Sequence, residues 1–547
     1  MPKSPRCAFP WTSIWLASLA ALMVQSVLSS SSSSSAYQRT ATDGKRPGFM
    51  ERTLVLLDVN TRSPIRVLND NFLSLQLDPS IIKDGCSKRL VTLARGLAPA
   101  FLRFGGKRTD FLFKTFVSHV VLVLSVYWQI AVLKSMCASF DEKNHCPHTG
   151  KKLSQWFLPQ LPLLESKLQL LCGFLPARSL DKLYNFADCA GLHLIFGLNA
   201  LHRNPDNSWN TSSTLSLLKY SAGKKYNISW ELGNEPNAYR SMVGRAVNST
   251  QLAQDYAKLR TLLQSVRYYH RAQLYGPNVG RPRKNAILVS LTFLSFLYSY
   301  FMDGRVKKAE DFLKTRLFDT LTEQMMKLVN THTPGKKVWL GGLGPAWTGG
   351  INNLSDTYAA GFLWVNTLGM AAVQGIDVVL RHSFFDYGYT HLVDQHFNPL
   401  PDYWFSLVFK HLVGPRVLQV RVAGLQRKPQ PGRVIRDKLR IYAHCTSYSK
   451  GSITIYIINL HRSRKKIKLA GTLRNKTVHQ YLLQPYGTEG LRARYVQLNG
   501  EKLVMSDNET FPELKPKTLR AGRTIAMPPT SIGFYVIKNI NAYACRR

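Results

Sequence analysis

From Thr53 onward the chain alternates short apolar runs with stretches of helical patterning. Val55–Val59, Phe72–Leu77, Ala100–Phe104, His193–Leu198, Asn227–Trp230, Lys337–Leu340 and Ile376–Leu380 read as buried strands. Ser179–Ala190, Gln251–Gln264 and Tyr358–Ala372 read as helices between them. Buried strands alternating with helices predict a parallel α/β sheet, and the length available favours a (β/α)8 TIM barrel over residues 50–415. After about Pro415 the texture changes to strands and turns: Leu439–His444, Ser452–Leu460, Gln480–Gln484 and Ser531–Ile537. The alternation in Ile453-Thr454-Ile455-Tyr456-Ile457 predicts a half-buried antiparallel strand. Residues 416–547 are therefore expected to form an appended β-sandwich.

Two further patterns lie outside this scheme. Lys3 and Arg6 precede an apolar run, Trp11–Val27, and the serines Ser29–Ser35 lead to Ala36. A basic start, an apolar middle and small residues at the cut form a cleavable signal peptide over residues 1–36, so the chain is expected to be secreted. Asn210, Asn227, Asn248, Asn353, Asn475 and Asn508 each begin an Asn-X-Ser/Thr glycosylation sequon, which agrees with the secretory route. Phe116–Leu133 and Ala286–Met302 are almost wholly apolar, and the first reaches the length of a membrane span.

Charge narrows the choice of partner. The 547 residues carry 72 Lys and Arg against 32 Asp and Glu, a formal charge of +40. Such an excess calls for a polyanion: nucleic acid, anionic lipid or acidic polysaccharide. Nucleic-acid binding would need an intracellular chain, so secretion excludes DNA and RNA as expected partners and leaves sulfated glycosaminoglycans of the extracellular matrix and cell surface. The charge gathers in four clusters: Arg281, Arg283 and Lys284; Arg427, Lys428, Arg433, Arg436, Lys438 and Arg440; Arg462, Arg464, Lys465, Lys466 and Lys468; and Lys515, Lys517, Arg520 and Arg523. No acid interrupts Arg462–Lys468, which follows a predicted strand and is expected to present a positive edge. Removing Cys7 with the signal leaves Cys86, Cys137, Cys146, Cys172, Cys189, Cys445 and Cys545, an odd number in an oxidising compartment. No CxxC pair suggests a zinc site, and neither a metal nor a cofactor is implied.

The most specific chemical signal is Asn227-Ile228-Ser229-Trp230-Glu231-Leu232-Gly233-Asn234-Glu235-Pro236-Asn237, a strand that ends in Asn-Glu-Pro. At the C-terminal mouth of a barrel strand Glu235 would face the cavity where barrel enzymes hold catalytic groups, and Asn234 would hydrogen-bond a sugar hydroxyl.

With Leu93–Leu97, Leu102–Gly106, Leu194–Leu201, Tyr275–Pro277, Pro399–Trp404 and the strand around Cys445, this segment resembles the heparanases, glycoside hydrolases of family 79. Ile435–Arg440 and His461–Lys466 look closest to the family's non-hydrolytic branch. The resemblance spans about residues 53–110, 176–285 and 303–547, and implies a barrel joined to a β-sandwich. It implies a substrate, heparan sulfate, and a retaining mechanism with an acid/base glutamate and a nucleophilic glutamate about 5–5.5 Å apart. The acid/base position falls on Glu235. The nucleophile position falls on Gly342, and from Pro334 to Gly350 there is no Asp or Glu. Glycine has no group to form the covalent intermediate. An inverting route would need another carboxylate, Asp78 or Asp386 being the candidates. The expectation is therefore a protein that binds heparan sulfate proteoglycans without cutting them and competes with active heparanase; the alternative is an active endo-β-glucuronidase.

By the same resemblance Asp78, Asn234, Gly349, Gly350 and Gly388 are carried over as substrate contacts, Arg281–Lys284 flanks the cleft, and Cys445 pairs with Cys545. Leu297-Tyr298-Ser299-Tyr300 lacks the histidines found there in the hydrolytic members, which puts the sixth barrel strand in question. Residues 111–175 and 285–302 depart from the resemblance. A membrane span inside a barrel crossover is topologically awkward, so read-through of non-coding sequence is the favoured reading of both.

Overall fold

The computed structural model describes residues 54–79, 87–106, 109–110, 177–244, 246–280, 295–297, 306–314, 326–327, 329–331, 334–346, 349–385, 388–424 and 438–546. The expected signal peptide, residues 111–175 and most of 285–302 lie outside these.

The first strand, β1 (Leu54–Val59), pairs antiparallel with Val420–Gly424 and parallel with Lys465–Leu469, both in the C-terminal sheets. β1 therefore belongs to the sandwich and not to the barrel, which corrects the expectation that the barrel starts at residue 50 and includes Val55–Val59. β1 buries Val55, Leu57 and Val59 and leaves the residues between them half-buried. That one-sided pattern belongs to a sandwich face, because barrel strands are covered on both sides.

The barrel strands are β2 (Leu73–Leu77), β3 (Ala100–Phe104), β4 (Leu192–Leu198), β5 (Ile228–Leu232), β6 (Leu274–Tyr275), β7 (Asn278–Val279), β8 (Ser295–Leu297), β9 (Val338–Leu343) and β10 (Val378–His382). All their pairings are parallel. β6 pairs with β5, β7 pairs with β8, and Gly276-Pro277 joins β6 to β7. These two short pieces thus act as one interrupted strand, and the ring closes at eight strand positions. β8 comes from the apolar stretch 285–302 and occupies the sixth position. That position, doubted on sequence grounds, is filled.

Helices α1 (Lys88–Arg95), α2 (Ala177–Cys189), α3 (Ser212–Gly223) and α4 (Ser249–Ser265) follow β2, β3, β4 and β5, and α5 (Tyr358–Gln374) and α6 (Pro401–Leu412) follow β9 and β10. Asn248 caps α4 by accepting a hydrogen bond from the Gln251 amide at 2.8 Å. α5 is buried on every side from Tyr358 to Ala372, as expected of a helix apolar all round. It lies between the barrel and the C-terminal sheet. A Cβ on Gly369 would stand 2.3 Å from the Tyr442 ring, so glycine is what permits this approach. The Tyr442 hydroxyl donates to Asn366 Oδ1 at 2.8 Å across the same junction.

Besides the short pieces Arg66–Val67, Glu501–Lys502 and Lys517–Leu519, the remaining strands are β11 (Val413–Leu418), β12 (Val420–Gly424), β13 (Leu439–Thr446), β14 (Ile453–Asn459), β15 (Lys465–Leu469), β16 (Val478–Pro485), β17 (Val496–Leu498), β18 (Ile525–Met527) and β19 (Ser531–Ile537). The larger sheet runs β17-β16-β19-β14-β13-β11 and the smaller β12-β1-β15-β18. β14 is buried along its whole length, not by half. Ile453, Ile455 and Ile457 pack with Leu57, Ile467 and Ile525 in the sandwich core. Tyr456 and Ile458 belong to the barrel-side core, where the Tyr456 ring lies 5.8 Å from that of Phe409. A sheet covered by a second sheet on one face and by the barrel on the other leaves no solvent side.

Cys445 and Cys545 form the expected disulfide across 100 residues of sequence, with Cα atoms 5.4 Å apart. Cys189 is exposed, and Cys137 and Cys146, one of which the family resemblance pairs with it, lie outside the described residues. Among the described residues no helix is long and apolar enough to cross a membrane.

Candidate active-site mouth

Period two along each barrel strand sets the order of layers inside it. At the bottom Phe101, Ile195, Tyr275, Trp339, Val378 and Leu380 form an apolar plug, with the rings of Phe101 and Trp339 4.9 Å apart and those of Tyr275 and Trp339 4.6 Å apart. Two residues further along β3, β5 and β10 stand Arg103, Glu231 and His382, all buried. Arg103 Nε donates to Glu231 Oε2 at 2.6 Å and Nη2 to Glu231 Oε1 at 2.8 Å. His382 lies in this layer as a neutral ring: burial first, then the charges of Arg381 and Arg103, push its pKa down to about 3.

The Asn-Glu-Pro segment stands on this layer. Asn234 Oδ1 accepts from Arg103 Nη2 at 3.1 Å and from Asn278 Nδ2 at 2.9 Å. Its backbone N–H donates to Asp110 Oδ2 at 3.0 Å and to the Tyr239 hydroxyl at 3.2 Å. Asp110 also accepts from the Ala200 amide at 3.3 Å. Burial pushes the Asp110 carboxyl up to about 7 against the opposing pull of these donors. Glu235 takes a left-handed backbone, φ 51° and ψ 53°, rare for a residue with a Cβ and frequent at functional sites. Its amide donates to the Asn278 carbonyl at 2.8 Å, and the residue as a whole is 9% exposed. Gly280 lies against it: a Cβ there would approach Glu235 Cδ at 3.3 Å. Asn237 holds Gly280 from both sides, accepting from its amide at 2.8 Å and donating to its carbonyl at 3.1 Å.

Asp78 follows β2 at the same end of the barrel and is buried beside Gly106, where a Cβ would come within 3.1 Å of Asp78 Oδ2. Gly349 and Gly388 are in contact, since a Cβ on Gly388 would lie 2.4 Å from the Gly349 carbonyl, and Gly350 abuts Ser355. Gly342 lies at the C-terminal end of β9 with φ +81°, where the pairing with β10 shifts register. That backbone favours glycine over any side-chain-bearing residue.

Of the basic clusters, Arg281, Arg283 and Lys284 lie outside the described residues, as do Arg427, Lys428, Arg433, Arg436 and Asp386. The third cluster is not a sheet edge. β15 is flanked by β1 and β18, with Ile467 and Leu469 turned inward and Lys466 and Lys468 outward. Arg462 and Arg464 precede it and are exposed. Five of the sequon asparagines are exposed and Asn210 is half-buried.

Sequence reasoning missed Arg103, Glu231, Asp110, Tyr239 and Asn278. A signal for two of them was present: a lone charge inside each of two apolar strands, Ala100–Phe104 and Ile228–Leu232, demands a buried partner of opposite sign.

Comparison with known proteins agrees with this geometry. The chain is 61% identical over 539 residues to human inactive heparanase-2, covering 91% of each chain, and 42% identical over 517 residues to mouse heparanase, covering 90% of this chain and 94% of that one. The chain belongs to the heparanase family. Residues 165–282 match the model of the glycosyl hydrolase family 79 N-terminal domain, a span that includes the Asn-Glu-Pro segment. Among solved structures, a 4-O-α-L-rhamnosyl-β-D-glucuronidase from Fusarium oxysporum superposes with a TM-score of 0.58 at 12% identity, covering 87% of this chain and 99% of its own, and an arabinofuranosidase from Xanthomonas axonopodis pv. citri with 0.56 at 9%, covering 89% and 100%. At those identities the likeness concerns the fold. Within the heparanase family, then, this chain is similar to a member named inactive, on the architecture of barrel glycosidases.

Proposed function

We propose that this chain is a secreted, hydrolytically silent heparanase-like protein that binds heparan sulfate through its basic surface and competes with active heparanase for it. Glu235 is the acid/base position and Gly342 the position of the lost nucleophile. The observation that carries the reading is Gly342: a residue without a side chain, in a left-handed backbone, at the end of the seventh barrel strand. Retaining hydrolysis needs a carboxylate there to form the glycosyl ester, and an acid alone does not replace it. Asp78, Asn234, Gly349, Gly350 and Gly388 would line the mouth against a sugar chain. Arg462, Arg464, Lys465, Lys466 and Lys468 would supply the charge that holds sulfo groups, with arginine forks gripping bidentately. Heparan sulfate proteoglycans would then place the protein at the matrix and the cell surface.

Two measurements test the two halves. A 2-deoxy-2-fluoro glucuronide with a good leaving group should leave no covalent adduct by intact mass, whereas an adduct on any carboxylate would overturn silence. The Arg464→Glu/Lys465→Glu/Lys466→Glu protein should elute from heparin at lower salt than wild type, and unchanged elution would overturn the assigned surface.

A further inference from the structure

The outward face of the smaller sheet continues into a cleft. Lys468 on β15, Arg474 and Lys476 in the turn that follows it, and Arg523 before β18 line a shallow surface concavity together with Leu473 and Asn475. Lys476 Nζ donates to the Asn539 carbonyl at 3.0 Å and so belongs partly to the scaffold. No ion pair of Lys468, Arg474 or Arg523 with an acid occurs among the described residues. Asp58, on β1, packs against Gly471, where a Cβ would meet its Oδ1 at 2.3 Å. Four cations around one concavity without a lining carboxylate repel one another, and a bound anion relieves that repulsion. The two guanidinium groups are suited to tetrahedral oxyanions, which accept paired N–H donors.

We infer that this cleft receives a sulfo group of a sulfated glycosaminoglycan, as a contact point separate from Arg462–Lys466 and from the barrel mouth. The inference rests on the heparan sulfate reading above and adds Arg474, Lys476 and Arg523 to it. Asn475 lies in the cleft wall and begins a sequon, so a glycan attached there would stand at the entrance.

The test compares wild type, Arg474→Glu/Arg523→Glu, Arg474→Lys/Arg523→Lys and Arg464→Glu/Lys465→Glu/Lys466→Glu, each also with Asn475→Gln, by calorimetric titration with a heparin tetrasaccharide. Losing two charge-assisted contacts should weaken binding by about tenfold or more. The slope of log affinity against log salt should fall by up to about two, taking about 0.7–0.9 per contact. The lysine pair should keep most of the affinity, and Asn475→Gln should raise it in glycosylated material. Unchanged affinity and slope in the Arg474→Glu/Arg523→Glu protein, with binding lost in the triple variant, would overturn the cleft and leave the wider reading standing. A wild type that fails to bind the tetrasaccharide would overturn both. Inorganic sulfate that competes as well as the tetrasaccharide, at equal sulfo concentration, would show a site for free anions and overturn the glycan assignment.

Discussion

Arg103→Met tests whether the charged layer inside the barrel holds the mouth above it. Arg103 and Glu231 are 1% and 0% exposed at their side chains and share two hydrogen bonds, of 2.6 and 2.8 Å. Methionine fills much of the arginine volume, so the loss is chiefly electrostatic: Glu231 stays buried with its ion partner gone. Breaking such a pair from one side costs about 3–5 kcal/mol. The bond to Asn234 Oδ1 is lost as well, worth about 1 kcal/mol, although Asn278 still donates to that oxygen. The expected destabilisation is therefore about 4–6 kcal/mol. Arg103→Met/Glu231→Leu removes both charges and should recover most of it, leaving a deficit of about 1 kcal/mol from the Asn234 contact. Guanidinium unfolding followed by tryptophan fluorescence supplies the three differences of a double-mutant cycle. A single-variant cost below about 1 kcal/mol, or a double variant as unstable as the sum of the two singles, would refute this reasoning.

Three further outcomes follow from the same geometry. Gly342→Glu should destabilise by at least about 1–2 kcal/mol, the cost of placing a side chain in a left-handed backbone, and should not produce hydrolysis of heparan sulfate; thermal unfolding and a chain-length assay check the two halves. Cys445→Ser opens a loop of 100 residues and should cost up to about 4.7 kcal/mol in the chain-entropy limit, while peptide mapping of the native wild type should find Cys445 protected from alkylation. His444 is fully buried, with Nδ1 2.9 Å from the Gly414 carbonyl, and burial pushes its pKa down to about 4 from an ordinary 6.5. A depressed folded pKa gives stability that is present above 6.5 and is lost as pH falls towards about 4, so His444→Gln should flatten the decline of the unfolding midpoint over that window.

Much of the barrel was legible because its strands are continuous apolar runs, and Ala100–Phe104 and His193–Leu198 stand within one residue of β3 and β4. The fifth position was not legible, since β6 and β7 are two residues each around Gly276-Pro277 and offer no run to detect. β1 reads as a barrel strand because Leu54–Val59 is apolar at every position but Asp58, so its one-sided burial leaves no alternation in the sequence. Apolar content alone does not tell a barrel strand from a sandwich strand. β14 erred in the opposite sense: its threonine and tyrosine suggested a wet face, but the barrel covers that face. The Asn-Glu-Pro segment stood out by motif, yet the residues that hold it come from four separate elements of the chain and share no local pattern. Lys466 and Lys468 were expected on an edge because sequence shows the run of charge and not the neighbours β1 and β18.

The most direct measurement of silent binding is the chain length of heparan sulfate recovered from its complex with the purified wild-type protein, beside the Glu235→Gln variant. The expected result is full-length chains in the bound fraction of both, with equal affinity. Shortened chains with wild type that disappear in Glu235→Gln would contradict it, because they would mean that Glu235 works with a carboxylate other than one at position 342.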